Sequence, residues 1–171
     1  MRVLFVVLAL FVASPLAVRA QTTASDGEPV ISLVISAKPS AKLGESIFVH
    51  VLLTNVSSHD IVVPREVRGT DCGIDVRDVT GTLAPDSRFG LLHNGHTSVT
   101  DLSQVDPNDL KGKVVYVSVK AGKTWEWDLE VTKFYDITKP GKYLIFVTKL
   151  DPEDPALPFV KSNTLTLQVT P

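Results

Sequence analysis

Two imidazoles stand three residues apart in His93-Asn94-Gly95-His96, and Asp101 and Asp106 follow in the same stretch. A zinc site needs three or four nitrogen, sulfur or oxygen ligands with partners that orient them. This pair with one of the aspartates is therefore the chain's nearest approach to a metal centre. Two histidines flanking an Asn-Gly turn also occur without any metal, and a solvated turn is the expectation. His50 reads as an outward-facing strand residue and His59 as a turn residue, both surface imidazoles rather than general bases. No Gly-x-Ser-x-Gly elbow surrounds any serine. Asp151, Glu153 and Asp154 form a small acidic loop whose spacing fits no calcium loop, so solvated charge is expected there. The sequence calls for no cofactor, names no catalytic residue and reads as that of a non-enzyme.

Aromatic residues are the remaining chemistry. Trp125 and Trp127, with Phe89 and the two histidines of the 93–96 turn, could form a contact surface, since exposed aromatics anchor many interfaces. The tryptophans share a strand face with Leu129 and Val131, which favours a packing role for them. Cys72 has no second cysteine to pair with. It reads as a small buried hydrophobe at a strand start, because no His or basic residue lies close beside it in sequence to depress its pKa.

The elements that must position these groups begin after residue 20. Met1-Arg2, the apolar run Val3 to Val12 and the small residues Ala17-Val18-Arg19-Ala20 compose a secretory signal peptide cleaved before Gln21. The apolar run is too short for the roughly 20 residues that span a bilayer, and no cysteine follows the cleavage point to accept a lipid. The protein is expected to be secreted or periplasmic, with no membrane span after cleavage. Losing Arg2 and Arg19 lowers the basic count from 17 to 15 against 19 acids. The charges are scattered, without the basic stripe that neutralises phosphates, so nucleic acid is not an expected partner.

Residues 21–29 are polar and small and read as a flexible lead-in; residues 30–171 read as one domain. Ile31, Leu33 and Ile35 alternate with Ser32, Val34 and Ser36, and Ile47, Val49, Val51 and Leu53 do the same. This is the two-residue period of strands with one buried face. Similar runs fall at 61–63, 73–79, 114–119, 125–131, 143–147 and 163–170. Residues 82–112 carry Pro85, Gly90, Asn94-Gly95, Pro107 and Gly112 and no sustained period; connections this long are often functional. About eight half-apolar strands and no amphipathic helix specify an all-β, two-sheet antiparallel sandwich with one long irregular connection, a barrel being the alternative.

Two stretches resemble known families. Leu43-Gly44-Glu45 through Asn55-Val56-Ser57 is similar to the turn, strand and Asn-x-Ser turn of bacterial immunoglobulin-like domains. Asp136 followed by Pro140-Gly141-Lys142-Tyr143 resembles the corner before a late strand in immunoglobulin and fibronectin type III sandwiches. That resemblance implies an immunoglobulin-like fold in which the Tyr143 hydroxyl bonds the backbone just upstream. A further similarity, to bacterial proteinase-inhibitor-like sandwich domains, adds Asp78-Val79-Thr80-Gly81; it implies inhibition as an alternative function without naming inhibitory residues. In a glycosylating secretory pathway Asn55-Val56-Ser57 would be an acceptor. The preferred reading is an exported, non-catalytic binding module acting on a protein or cell-surface ligand through its loops. A metal-binding protein using His93 and His96 is the weaker alternative.

Overall fold

The computed structural model describes residues 27–65, 72–93 and 115–171. The expected signal peptide, His96, Asp101, Asp106 and most of the 82–112 connection lie outside the described residues. Among the described residues ten strands form: β1 (Ile31–Ala37), β2 (Ser40–Lys42), β3 (Phe48–Asn55), β4 (Ile61–Pro64), β5 (Cys72–Asp78), β6 (Tyr116–Val119), β7 (Thr124–Glu130), β8 (Gly141–Lys149), β9 (Val160–Lys161) and β10 (Leu165–Thr170). One sheet has the order β1-β3-β7, the other β2-β10-β8-β5 with β9 on β8, and β4 pairs with β6. All pairs are antiparallel except β2 on β10. Lys38-Pro39 takes the chain out of the first sheet and into the second, because proline cannot extend the ladder. The result is an immunoglobulin-like sandwich.

Alternation explains the layers. Ile31, Leu33 and Ile35 of β1 and Val49, Val51 and Leu53 of β3 point inward and are buried, against Ile74, Val76, Ile145, Val147, Leu167 and Val169 of the second sheet. Val49, Val51, Val76, Ile145 and Val147 are fully enclosed; burying each aliphatic side chain contributes roughly 1.5–3 kcal/mol.

The sequence pattern needs correction in two places. Where an unstructured connection was expected, Leu83 bridges Arg77, Asp86 bridges Tyr135, and α1 (Arg88–His93) follows. The strand expected to run through Val131 stops at Glu130. There α2 (Val131–Phe134) turns the chain so that Val131 and Phe134 both enter the core. A helical turn lets both ends of a four-residue segment face one way, which a strand's period of two cannot do.

Candidate functional site

The end of the sandwich that holds the β2–β3 turn, α2 and the segment after it encloses a cleft of about 330 Å³. Its apolar floor is Ile47, Ile137 and Val169, and its walls carry the carboxylates Glu45, Glu130 and Asp136, the hydroxyls Ser46, Thr132 and Thr138, and the single ammonium of Lys42. Several of these groups are already oriented. Glu130 Oε1 accepts from Ser46 Oγ at 2.9 Å and from Thr132 Oγ1 at 3.3 Å. Glu45 Oε2 accepts from the Lys42 amide at 2.9 Å, closing a turn in which Gly44 takes φ +83°, a conformation costly for any other residue. Thr132 Oγ1 also accepts from the Ile47 amide at 3.3 Å. Three acids against one base leave the cleft with a net negative lining.

The residues of the resembled corner lie beside it. Tyr143 Oη donates to the Lys139 carbonyl at 2.8 Å, and Asp136 donates its amide to the Pro85 carbonyl at 2.8 Å. Gly141, at φ +155°, begins β8 where a side chain would be strained. A second tyrosine, marked by no motif or spacing, is the deeper one. Tyr135 is fully buried and donates its hydroxyl to the Ile74 carbonyl at 2.6 Å. Burial holds its phenol far above the ordinary tyrosine range.

The aromatic candidates do not converge on one surface. Phe89, on α1, packs against the core with its ring centroid 4.1 Å from that of His93 and 5.3 Å from that of Phe134, and Lys133 Nζ lies 4.4 Å above it. Trp125 and Trp127 stack at 4.3 Å on the inward side of β7, opposite Leu53 and Val51, half-buried rather than presented to solvent. The Trp127 indole N–H is buried and meets no hydrogen-bond acceptor among the described residues. Cys72 is partly buried against the core and forms no disulfide. Among the described residues no group of three His, Cys, Asp or Glu could hold a metal ion, and no helix is long and apolar enough to cross a membrane.

Three polar groups that read as surface decoration are structural. Asp151, expected to be solvated, is 2% exposed and accepts from the amides of Val30, Glu153 and Asp154 at 2.7, 3.0 and 3.2 Å. An Asx turn this complete could have been suspected from Asp-Pro-Glu-Asp-Pro, but not its reach back to β1. Asn55 is fully buried. Its Nδ2 donates to the carbonyls of His59 and Val119 at 2.7 and 2.9 Å, and its Oδ1 accepts from the amide and hydroxyl of Ser57 at 2.9 and 2.7 Å. The folded protein therefore does not present this amide for glycosylation. In the Asp78-Val79-Thr80-Gly81 turn, Asp78 Oδ1 accepts from the hydroxyl and amide of Thr80 at 2.6 and 2.8 Å. Those bonds, the hydroxyl's foremost, hold its pKa below the usual aspartate range.

No family model matches the chain, and no curated protein does. Solved structures resemble the chain at low identity. The crystal structure of the CARDB domain of the PF1109 protein from Pyrococcus furiosus, in complex with di-metal ions, is 13% identical over 83% of this chain and 89% of that one, with a TM-score of 0.39. The solution structure of the same domain is 14% identical, with a TM-score of 0.41. A β-glucosidase from Listeria innocua is 17% identical over 81% of this chain, with a TM-score of 0.41, and only 16% of the enzyme's length is matched. The sandwich architecture is compatible with a binding module.

Proposed function

We propose that this protein is an exported, non-catalytic binding module that takes a cationic ligand with a short alkyl stem, such as a polyamine or the side chain of a lysine or arginine, in the cleft beside α2. The observation that carries this is the lining: three carboxylates and three hydroxyls against one ammonium, over an aliphatic floor. An alkyl stem would lie on Ile47, Ile137 and Val169 while the charged head accepts the field of Glu45, Glu130 and Asp136. A partly enclosed site strengthens such pairing over open water. Export is supported by the basic tip, short apolar run and small-residue end of residues 1–20.

The ligand reading is tested by titrating the isotopically labelled protein with spermidine and with lysine amide. Shifts are expected at the Ile47, Thr132 and Thr138 amides, and Glu130→Gln should weaken them. Shifts confined to other surfaces, or none at millimolar ligand, would refute it. Mass spectrometry of protein recovered from outside the cytoplasm should give a chain beginning at Gln21; an intact residue 1–20 segment there would overturn the export reading.

A further inference from the structure

The sandwich covers its sheet edges with deliberate devices, and β7 departs from that rule. The outer edge of β1 is occupied by one side chain: Asn163 Oδ1 accepts from the Ile35 amide at 2.7 Å and Asn163 Nδ2 donates to the Ile35 carbonyl at 3.0 Å, as a neighbouring strand would. The outer edge of β5 is met by residues 82–84, through the Asp78 amide to the Thr82 carbonyl and the Ala84 amide to the Val76 carbonyl, and by Tyr135 on the Ile74 carbonyl. β2 is only three residues long. Such measures block stray pairing.

The register of β7 shows which of its groups remain open. Val131 donates to the Ile47 carbonyl and Asn55 to the Lys123 carbonyl, so the odd-numbered residues of β7 bond β3. By the alternation of an antiparallel ladder, the N–H and C=O of Thr124, Glu126 and Asp128 and the N–H of Glu130 then point away from β3, the Glu130 carbonyl serving as the N-cap acceptor of α2. Among the described residues no strand pairs with that side. The side chains of Thr124, Glu126 and Asp128 stand exposed on the outer face of the sheet, while that of Glu130 turns into the cleft. Glu126 and Asp128 are 68% and 66% exposed, and Val34, Leu52 and Phe48 supply apolar surface on the same face.

We infer that β7 is a docking edge for an extended, basic segment of another protein, which adds to the β1-β3-β7 sheet as a fourth strand. The open main-chain groups give the pairing. Residues directly opposite on an added strand share a face, so basic side chains at alternate positions meet Glu126 and Asp128, where opposite charges favour pairing and like charges oppose it. The same acid row disfavours a second copy of this chain, whose own β7 would set carboxylates against carboxylates. This inference stands whether or not the cleft takes a cation.

The test uses the full processed chain and two blocked seven-residue peptides, one alternating lysine with threonine and valine, the other with glutamate in place of each lysine. The lysine peptide should shift the amides of Thr124, Glu126, Asp128 and Glu130 and slow their exchange with solvent, while the glutamate peptide should do neither. Glu126→Lys with Asp128→Lys should weaken the lysine peptide by roughly 10-fold, the scale of two exposed charge pairs lost and reversed, and admit the glutamate peptide. Glu28→Gln, an exposed acid outside both β7 and the cleft, should change neither. Equal binding of both peptides, shifts elsewhere without those four amides, or no shift at millimolar peptide would each overturn the inference.

Discussion

Replacing Asn55 by alanine would strip four hydrogen bonds from one buried point. The Val119 carbonyl keeps the Ile61 amide, its partner in the β4–β6 ladder, but loses its second donor in a buried position, while the His59 carbonyl and the Ser57 amide and hydroxyl lie nearer solvent. Each of the four bonds contributes about 0.5–1.5 kcal/mol, of which water recovers a share at the part-exposed ones. A loss of about 3 kcal/mol follows, readable as a lowered midpoint in urea with an unchanged slope. Asn55→Asp sharpens the test. It keeps the acceptor for Ser57 but turns an oxygen, in place of the amide's donor, toward the carbonyl oxygens of His59 and Val119. Its carboxyl is pushed up, because only the protonated form can donate. A raised folded-state value makes its contribution greatest below the unfolded carboxyl value of about 3.9 and smaller as pH rises through the folded one. Relative to the native protein, Asn55→Asp should therefore be less damaging at pH 3.5 than at pH 7, whereas Asn55→Ala should show no such trend. A deficit under about 1 kcal/mol for the alanine variant, or matching pH profiles for the two, would refute the assignment of Asn55 as the tie between the β3–β4 turn and β6.

Other expectations follow from the same contacts. Asn163→Ala should cost about 1–2 kcal/mol and, by baring the edge of β1, raise concentration-dependent light scattering. Tyr143→Phe should lower stability by about 0.5–1.5 kcal/mol in thermal unfolding without altering the circular dichroism of the folded state. His50 bonds Asp128 at 2.9 Å and lies 3.4 Å from Glu126, and Asp128 foremost holds its pKa above the ordinary 6.5. Its stabilising contribution is thus full below about pH 6.5 and is lost as pH rises through the folded value. Proton NMR titration should show the raised value in the native protein and its return toward 6.5 in Asp128→Asn.

How far the sequence could be read depended on the range of the physics involved. The inward rows Ile31-Leu33-Ile35 and Val49-Val51-Leu53 are local periodicities, so the sheets they form were legible from spacing alone. Trp125 and Trp127 were correctly placed on Leu129's face by the same rule. Val131 was misplaced because a single turn of helix buries it as well as a strand would, and apolar identity does not distinguish the two. α1 was missed since Arg88-Phe89-Gly90-Leu91 is short, contains glycine and draws its stability from packing on Phe134 rather than from propensity. Polar groups misled most. Asp151 and Asn163 act on β1 over 121 and 128 residues of chain, and nothing local marks a carboxylate or amide whose partner lies so far away. The cleft was invisible for the same reason, since Glu45, Glu130 and Asp136 meet only after the sheets have stacked.

The parallel run of β2 beside β10 has a mechanical consequence. Gln168, Val169 and Thr170 pair with Ser40, Ala41 and Lys42, and Leu43 donates a further bond to the Thr170 carbonyl. Tension applied between β1 and the last residues of β10 pulls these two strands past one another along their length. The bonds between them lie across the direction of pull and must rupture together instead of peeling one by one. A module gripped at those two points would resist stretching through six residues near the two ends of the fold, long before its hydrophobic interior is strained.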